Sequence, residues 1–233
     1  RAIMAWLPTL TSFSRQAMFA GAWPAGLAES FLSTSKEARH WEHFWKEENL
    51  GAADILYQKA LGQPDSDAEL FNKLEKHEYK ILGLVVDTVD SIMHGAELGM
   101  QGVFQQLKLW AEKGFLRNLI TRLVSRGYRV IITSDHGNTE TVGIGSPQEG
   151  AIAESRGMRV RIYQDEALRN QVQARFPKAM SWPGAGLPEN CHVLFAPNGK
   201  SFAHEGQVQV THGGPSLEET IVPFVEISGR LLK

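Results

Sequence analysis

Hydrophobic and polar positions along this chain alternate between two kinds of block. Residues 2–7, 79–86, 128–133, 158–163 and 221–227 are short, nearly continuous apolar runs. That is the pattern of strands buried on both faces. Shorter apolar runs at 193–196 and 207–210 flank the Asn198-Gly199 turn and predict two more strands. Helical spacing marks 14–21, closed by Gly21, and 37–50, where Trp41, Phe44 and Trp45 stand at i, i+3 and i+4. It also marks 67–77, and 101–126 with an interruption near Gly114. A short helix is predicted over 166–175, and a helical turn over 215–220. Residues 22–35, 87–100 and 134–156 read as loops, from their Gly, Pro and polar content. Strand, helix and strand follow one another from 79 to 133, which is the order of a βαβ crossover and predicts an α/β fold. No repeat, low-complexity tract or linker interrupts the chain, so one domain over 1–233 is expected. The opening Arg1-Ala2-Ile3-Met4 drops straight into a strand-like run and reads as a chain entered in mid-domain.

Composition narrows the chemistry. With 42% hydrophobic and 21% charged residues, the chain is not intrinsically disordered. Its 24 basic and 26 acidic residues leave a net charge of −2, which excludes the broad basic surface of a general nucleic-acid binder. The single cysteine, Cys191, excludes both an internal disulfide and a thiolate zinc site. Any zinc here must be held by histidine and carboxylate. No stretch approaches the roughly 20 apolar residues that span a bilayer as a helix.

Three segments place such ligands just beyond predicted strands: Asp90-Ser-Ile-Met-His94-Gly95, Ser134-Asp135-His136-Gly137-Asn138 and Thr211-His212-Gly213-Gly214. In open α/β sheets ligands gather outside the carboxyl ends of strands. Three imidazoles and two carboxylates, with a glycine beside every histidine, form a donor set suited to zinc. A further turn, Pro8-Thr9-Leu10-Thr11-Ser12, offers hydroxyls where a strand meets a helix N-terminus, a place that favours an anion. His40, His43, His192 and His204 fit no such pattern and read as surface or structural residues.

Taken in order, Pro-Thr-Leu-Thr (8–11), Asp-x-x-x-His-Gly (90–95), Ser-Asp-His-Gly-Asn (134–138) and Thr-His-Gly-Gly (211–214) resemble the alkaline phosphatase superfamily. Residues 131–140 resemble its cofactor-independent phosphoglycerate mutases. Residues 211–225, Thr-His-Gly-Gly-Pro-Ser-Leu-Glu-Glu-Thr-Ile-Val-Pro-Phe-Val, are similar to the C-terminal signature of PglZ domains. These domains occur in BREX-type and phage growth limitation defence systems of bacteria. Arg15-Gln16-Ala17, after the hydroxyl turn, points the same way.

The resemblance implies an alkaline-phosphatase-like α/β fold: a mixed, mainly parallel sheet between helices, with its first strand and one Asp ligand upstream of Arg1. It implies Thr11 as nucleophile, with Ser12 as runner-up. Asp90, His94 and His212 would hold one divalent ion, and Asp135 and His136, with Thr11, a second. Zinc is expected first, with manganese or magnesium as alternatives. Arg15 would reach a substrate phosphate or serve a structural salt bridge. The implied protein is a metal-dependent phosphohydrolase of phosphatase or phosphodiesterase type. It would act in the cytoplasm, away from membranes, on phosphorylated substrates that include nucleic acid, alongside other phage-defence proteins. The alternatives are a phosphoglycerate-mutase-like phosphotransferase and a non-catalytic scaffold of a defence complex. Thr11 in the nucleophile position argues against a sulfatase.

Overall fold

The computed structural model describes residues 1–27, 33–94, 99–149 and 157–229. The clearest unit is β2 (Ile55–Leu61), α3 (Pro64–Lys76) and β3 (Ile81–Val86), with β2 and β3 parallel. Pro64 at the start of α3 suits the first helical turn, where its lacking N–H has no partner to lose. Leu70 and Leu74, one turn apart, turn the helix toward the strands. They bury with Leu56, Leu61, and Leu119 and Leu123 of α6 (Phe115–Ser125), against Leu82, Leu84 and Val86 of β3. This is the βαβ unit, and it lies earlier than predicted. The sequence reading missed β2 because Gln58 and Lys59 interrupt its apolar run.

The strand expected at 128–133 is β4 (Val130–Thr133). It pairs with the closing strand β11 (Ile221–Ile227), antiparallel, and not with β3. The other side of β11 carries β1 (Ala2–Met4), also antiparallel. All three residues of β1 are exposed, whereas 2–7 was expected to be a buried strand. Among the described residues β1 pairs with β11 alone.

The remaining strands form two small sheets. In one, β5 (Thr139–Gly143) lies between β10 (Val208–Thr211), antiparallel, and β9 (Lys200–Ser201), parallel. In the other, β8 (His192–Phe195) lies between β6 (Val160–Tyr163) and β7 (Met180–Trp182), both antiparallel to it. Among the described residues five strand pairs are antiparallel and two parallel, so the fold is mixed α/β, as the resemblance implies, with antiparallel pairs the more numerous. Strand direction depends on partners far away in sequence, and short apolar runs do not name their partners.

Helices complete the layers. α1 (Thr11–Ala20) ends at Gly21, whose φ of +60° is the left-handed C-cap geometry that glycine adopts freely. Its Phe13, with Leu10, packs into a core of Val160, Ile162, Val193 and Phe195. On its other side it meets α2 (Glu37–Glu47), where Phe19 and Trp41 contact edge to face, 5.3 Å between ring centres. The stretch 87–100, expected to be a loop, starts two helices: α4 (Thr88–His94) and α5 (Gly99–Glu112). Met93 of α4 and Val103 of α5 bury against Val210 of β10, which draws these helices to the third ligand segment. α7 occupies Glu166–Arg175, as predicted, with Asp165 capping it through Leu168 N–H, and α8 (Leu217–Thr220) is the predicted turn before β11.

Candidate metal centre

The four chemistry-bearing segments converge. Asp90 lies in the first turn of α4, directly after β3; His136 follows β4; His212 follows β10; Thr11 opens α1. The ligand atoms of Asp90, His136 and His212 all lie within 4.8 Å of one another. His136 and His212 are buried, and their rings stack with centres 3.9 Å apart and planes 12° from parallel.

Each imidazole is oriented by a backbone carbonyl. His136 Nδ1 meets Gly137 O at 3.0 Å, and His212 Nδ1 meets Thr9 O at 2.8 Å. A carbonyl only accepts, so both Nδ1 atoms carry a proton, and in its neutral form each ring offers the lone pair of Nε2. This is the outer-sphere arrangement that prepares a histidine for a metal. Thr11 Oγ1 lies 3.1 Å from His136 Nε2, so the hydroxyl donates to that same lone pair. One carboxylate and two Nε2 atoms at this spacing fit a divalent ion of the zinc type.

Close backbone approach explains one glycine. A Cβ on Gly137 would sit 1.9 Å from Glu218 O, and Gly137 N–H donates to Glu219 O at 2.8 Å. The His136 turn is thereby pinned to α8. Ser14, on α1, donates to the carbonyl of Asp135 and accepts from Trp6 N–H at 3.1 Å, which fixes the α1 entrance against the same turn.

The predicted site residues fall as follows. Asp90, His136 and His212 form one group, although the sequence reading divided them between two ions. The carboxylate of Asp135 lies 3.7 Å from His136 Nε2 and outside that group. His94 closes α4, and its side chain lies outside the described residues. Ser12, the alternative nucleophile, is buried. Arg15 pairs with the fully buried Glu37 at 3.0 Å and with Asp87 at 3.5 Å. Burial alone would lower its pKa, but Glu37, Asp135 and Asp87 outweigh that and raise it. Tyr57 donates to Glu37 too; burial and then that contact push its phenol well up. His43 makes only an exposed pair with Glu47 on α2.

Sequence reasoning missed Thr9, Arg159 and Glu219. Arg159 and Glu219 form a buried ion pair at 3.1 Å behind the His212 loop. A signal was present: Ser216-Leu-Glu-Glu219 is the capping-box pattern, and it places Glu219 at a helix start.

A family model described as the BREX system PglZ alkaline phosphatase-like domain matches residues 1–227. No curated protein matches the chain in sequence. Among solved structures, murine ectonucleotide pyrophosphatase/phosphodiesterase 5 is similar at a TM-score of 0.67 and 13% identity, covering 97% of this chain and 79% of its own. An inactive threonine-to-alanine variant of that enzyme in complex with AMP is similar at 0.66 and 13% identity, covering 97% and 78%. The human enzyme is similar at 0.61 and 13% identity, covering 96% and 78%. These likenesses establish the mixed α/β fold of alkaline-phosphatase type.

Proposed function

The chain belongs to the PglZ family of BREX-system alkaline phosphatase-like domains, and on that premise we propose that it is a metal-dependent phosphodiesterase-type hydrolase with Thr11 as nucleophile. The observation that carries this reading is the Thr11 hydroxyl, 3.1 Å from His136 Nε2 at the N-terminus of α1 and beside the Asp90, His136 and His212 group. The threonine-to-alanine variant of the murine structural neighbour is inactive and was captured with AMP, which fits a threonine in this role on this fold.

Asp90, His136 and His212 would hold the ion, with Asp135 and His94 as further candidates. When bound, a divalent ion supplies Lewis-acid stabilisation of the phosphoryl charge and lowers the pKa of a nearby hydroxyl. The chain's own residues do the rest. Thr11 Oγ1 attacks phosphorus in line, its proton passes to solvent water, and the leaving alkoxide departs with the P–O bond electrons and takes up a proton from solvent. The resulting phosphodiester of Thr11, which keeps the second alkoxy group, is hydrolysed by water, which releases a phosphomonoester and restores Thr11. The α1 N-terminus presents its positive end to the phosphoryl group. Arg15, one turn after Thr11 on the same helix face, is anchored through Nε and Nη1. Its Nη2 then faces a non-bridging oxygen. The substrate proposed is a phosphodiester, nucleic acid included, within a bacterial phage-defence setting and alongside other proteins of that system.

The test is hydrolysis of bis(p-nitrophenyl) phosphate by the purified protein, with zinc, manganese or magnesium supplied in turn. Thr11→Ala should lower kcat/KM by roughly 10³-fold or more while retaining its fold. Undiminished turnover in that variant removes Thr11 from the role. Elemental analysis that finds no bound ion would favour the scaffold reading.

A further inference from the structure

The loop that carries His212 is held from two sides. Behind it, Gly214 N–H donates to Glu219 Oε1 at 2.6 Å, and Arg159 N–H donates to His212 O at 3.2 Å. Glu219 Oε2 meets Arg159 Nε and Nη2 at 3.2 and 3.1 Å. In front of it stands Thr9, fully buried, two residues before Thr11. The Thr9 hydroxyl donates to Gly214 O at 2.7 Å and accepts from Gly213 N–H at 3.1 Å. The Thr9 carbonyl accepts from His212 Nδ1 at 2.8 Å. Gly213 reaches this geometry with φ of +112°, where a Cβ would also meet Val160 Cγ1 at 2.9 Å.

Three hydrogen bonds thus join one buried residue to three consecutive residues of the ligand loop. A hydroxyl donates to one backbone group and accepts from its neighbour at once, which an apolar side chain of the same shape cannot do. The same residue belongs to the short segment that ends in Thr11. From this we propose that Thr9 is a positioning residue: its hydroxyl registers the nucleophile segment against the loop 212–214, and its carbonyl then locks His212 in the tautomer whose Nε2 faces the ion site. The inference rests on the metal-site reading above for its functional consequence. The locking of the ring itself does not depend on that reading.

The experiment compares wild type, Thr9→Val and Thr9→Ser by ¹⁵N NMR of the His212 ring, by zinc titration calorimetry and by thermal melting. Wild type without metal, above the histidine titration range, should show His212 protonated on Nδ1. Thr9→Val keeps the shape but leaves Gly213 N–H and Gly214 C=O without the hydroxyl. It should give a mixture of tautomers and bind zinc about 10- to 100-fold more weakly, while Thr9→Ser stays close to wild type in both. A purely structural role would lower the melting temperature of Thr9→Val and leave its tautomer and zinc affinity at wild-type values, and that result overturns the proposal. So does a wild-type His212 protonated on Nε2. If wild type shows the Nδ1–H ring, Thr9→Val loses it and neither protein binds zinc, then the metal-dependent reading fails and the positioning role stands. Should Thr9→Val not fold, Thr9→Cys, of similar size with a weak S–H donor, is read in the same way.

Discussion

At the scale of single residues, the centre is built by taking one ring nitrogen from each imidazole. Gly137 O and Thr9 O fix His136 and His212 as Nδ1–H tautomers, which leaves Nε2 of each ring as the nitrogen to offer beside Asp90. The Thr11 hydroxyl bonds to the same His136 lone pair that an ion would take, so that hydrogen bond and coordination are alternatives. These residue types were legible in the sequence, because Asp and His beside glycine at strand ends stand out. Thr9, Glu219 and Arg159 were not legible, because a threonine in a turn, a glutamate in a helix start and an arginine just before a strand carry no mark of being buried. Cys191 shows the opposite case, a reactive residue type made inert. It is buried among Leu187, Val193 and Phe195, and burial pushes its thiol up to about 12. The thiolate is the reacting species. Native protein at pH 8 should therefore leave Ellman's reagent unreacted over the time in which the guanidinium-unfolded chain reacts with one equivalent. Rapid reaction of the native protein would contradict that environment.

At the scale of elements, the site hangs on where strands stop. β3 runs into α4 within two residues, which delivers Asp90 in the first helical turn, and β4 and β10 deliver His136 and His212 directly. The α4 helix was hidden in the sequence by its shortness and by the polar residues Asp87, Thr88, Asp90 and Ser91, although Val89, Ile92 and Met93 already had helical spacing. The α7 and β11 bounds were read correctly because local signals, the Asp165 cap and the continuous run 221–227, mark them. The β2–α3–β3 unit holds β3 in place through one buried layer. Leu70 is fully buried at its centre. Leu70→Ala removes that packing and should cost about 2–5 kcal/mol in urea unfolding. A loss below about 1 kcal/mol would show that α3 does not brace β3, since that is the range of surface substitutions.

At the scale of the whole molecule, the candidate ligands come from residues 90, 136 and 212, so an ion there would cross-link segments spread over more than half of the chain. Such a ligand stabilises only the folded state, by RT ln(1 + [L]/Kd). Zinc at a hundredfold excess over its Kd should add about 2.7 kcal/mol and raise the melting temperature in scanning calorimetry. Asp90→Asn should lose most of that upward shift, and chelation should reverse it in wild type. An equal shift in Asp90→Asn would place the stabilising ion elsewhere. The net charge of −2 gives no general basic surface, so a nucleic-acid substrate would be gripped at the site, by Arg15 and the α1 N-terminus. Among the described residues no helix is long and apolar enough to cross a membrane.

The sequence by itself determined the family and the mixed α/β class, and it named the candidate ligand types and the candidate hydroxyl. Each of these rests on local chemistry: which groups can bind a cation, which spacing makes a strand or a helix, and where a turn needs glycine. Tertiary structure alone decided the rest. It grouped His136 with Asp90 and His212, set β4 against β11 and not β3, gave Arg15 to Glu37 and Asp87, and buried Thr9 and Glu219 on opposite sides of the His212 loop. These are pairings between residues up to about two hundred positions apart. They are fixed by which surfaces exclude water together and which buried polar groups find partners, and a one-dimensional pattern does not contain that information.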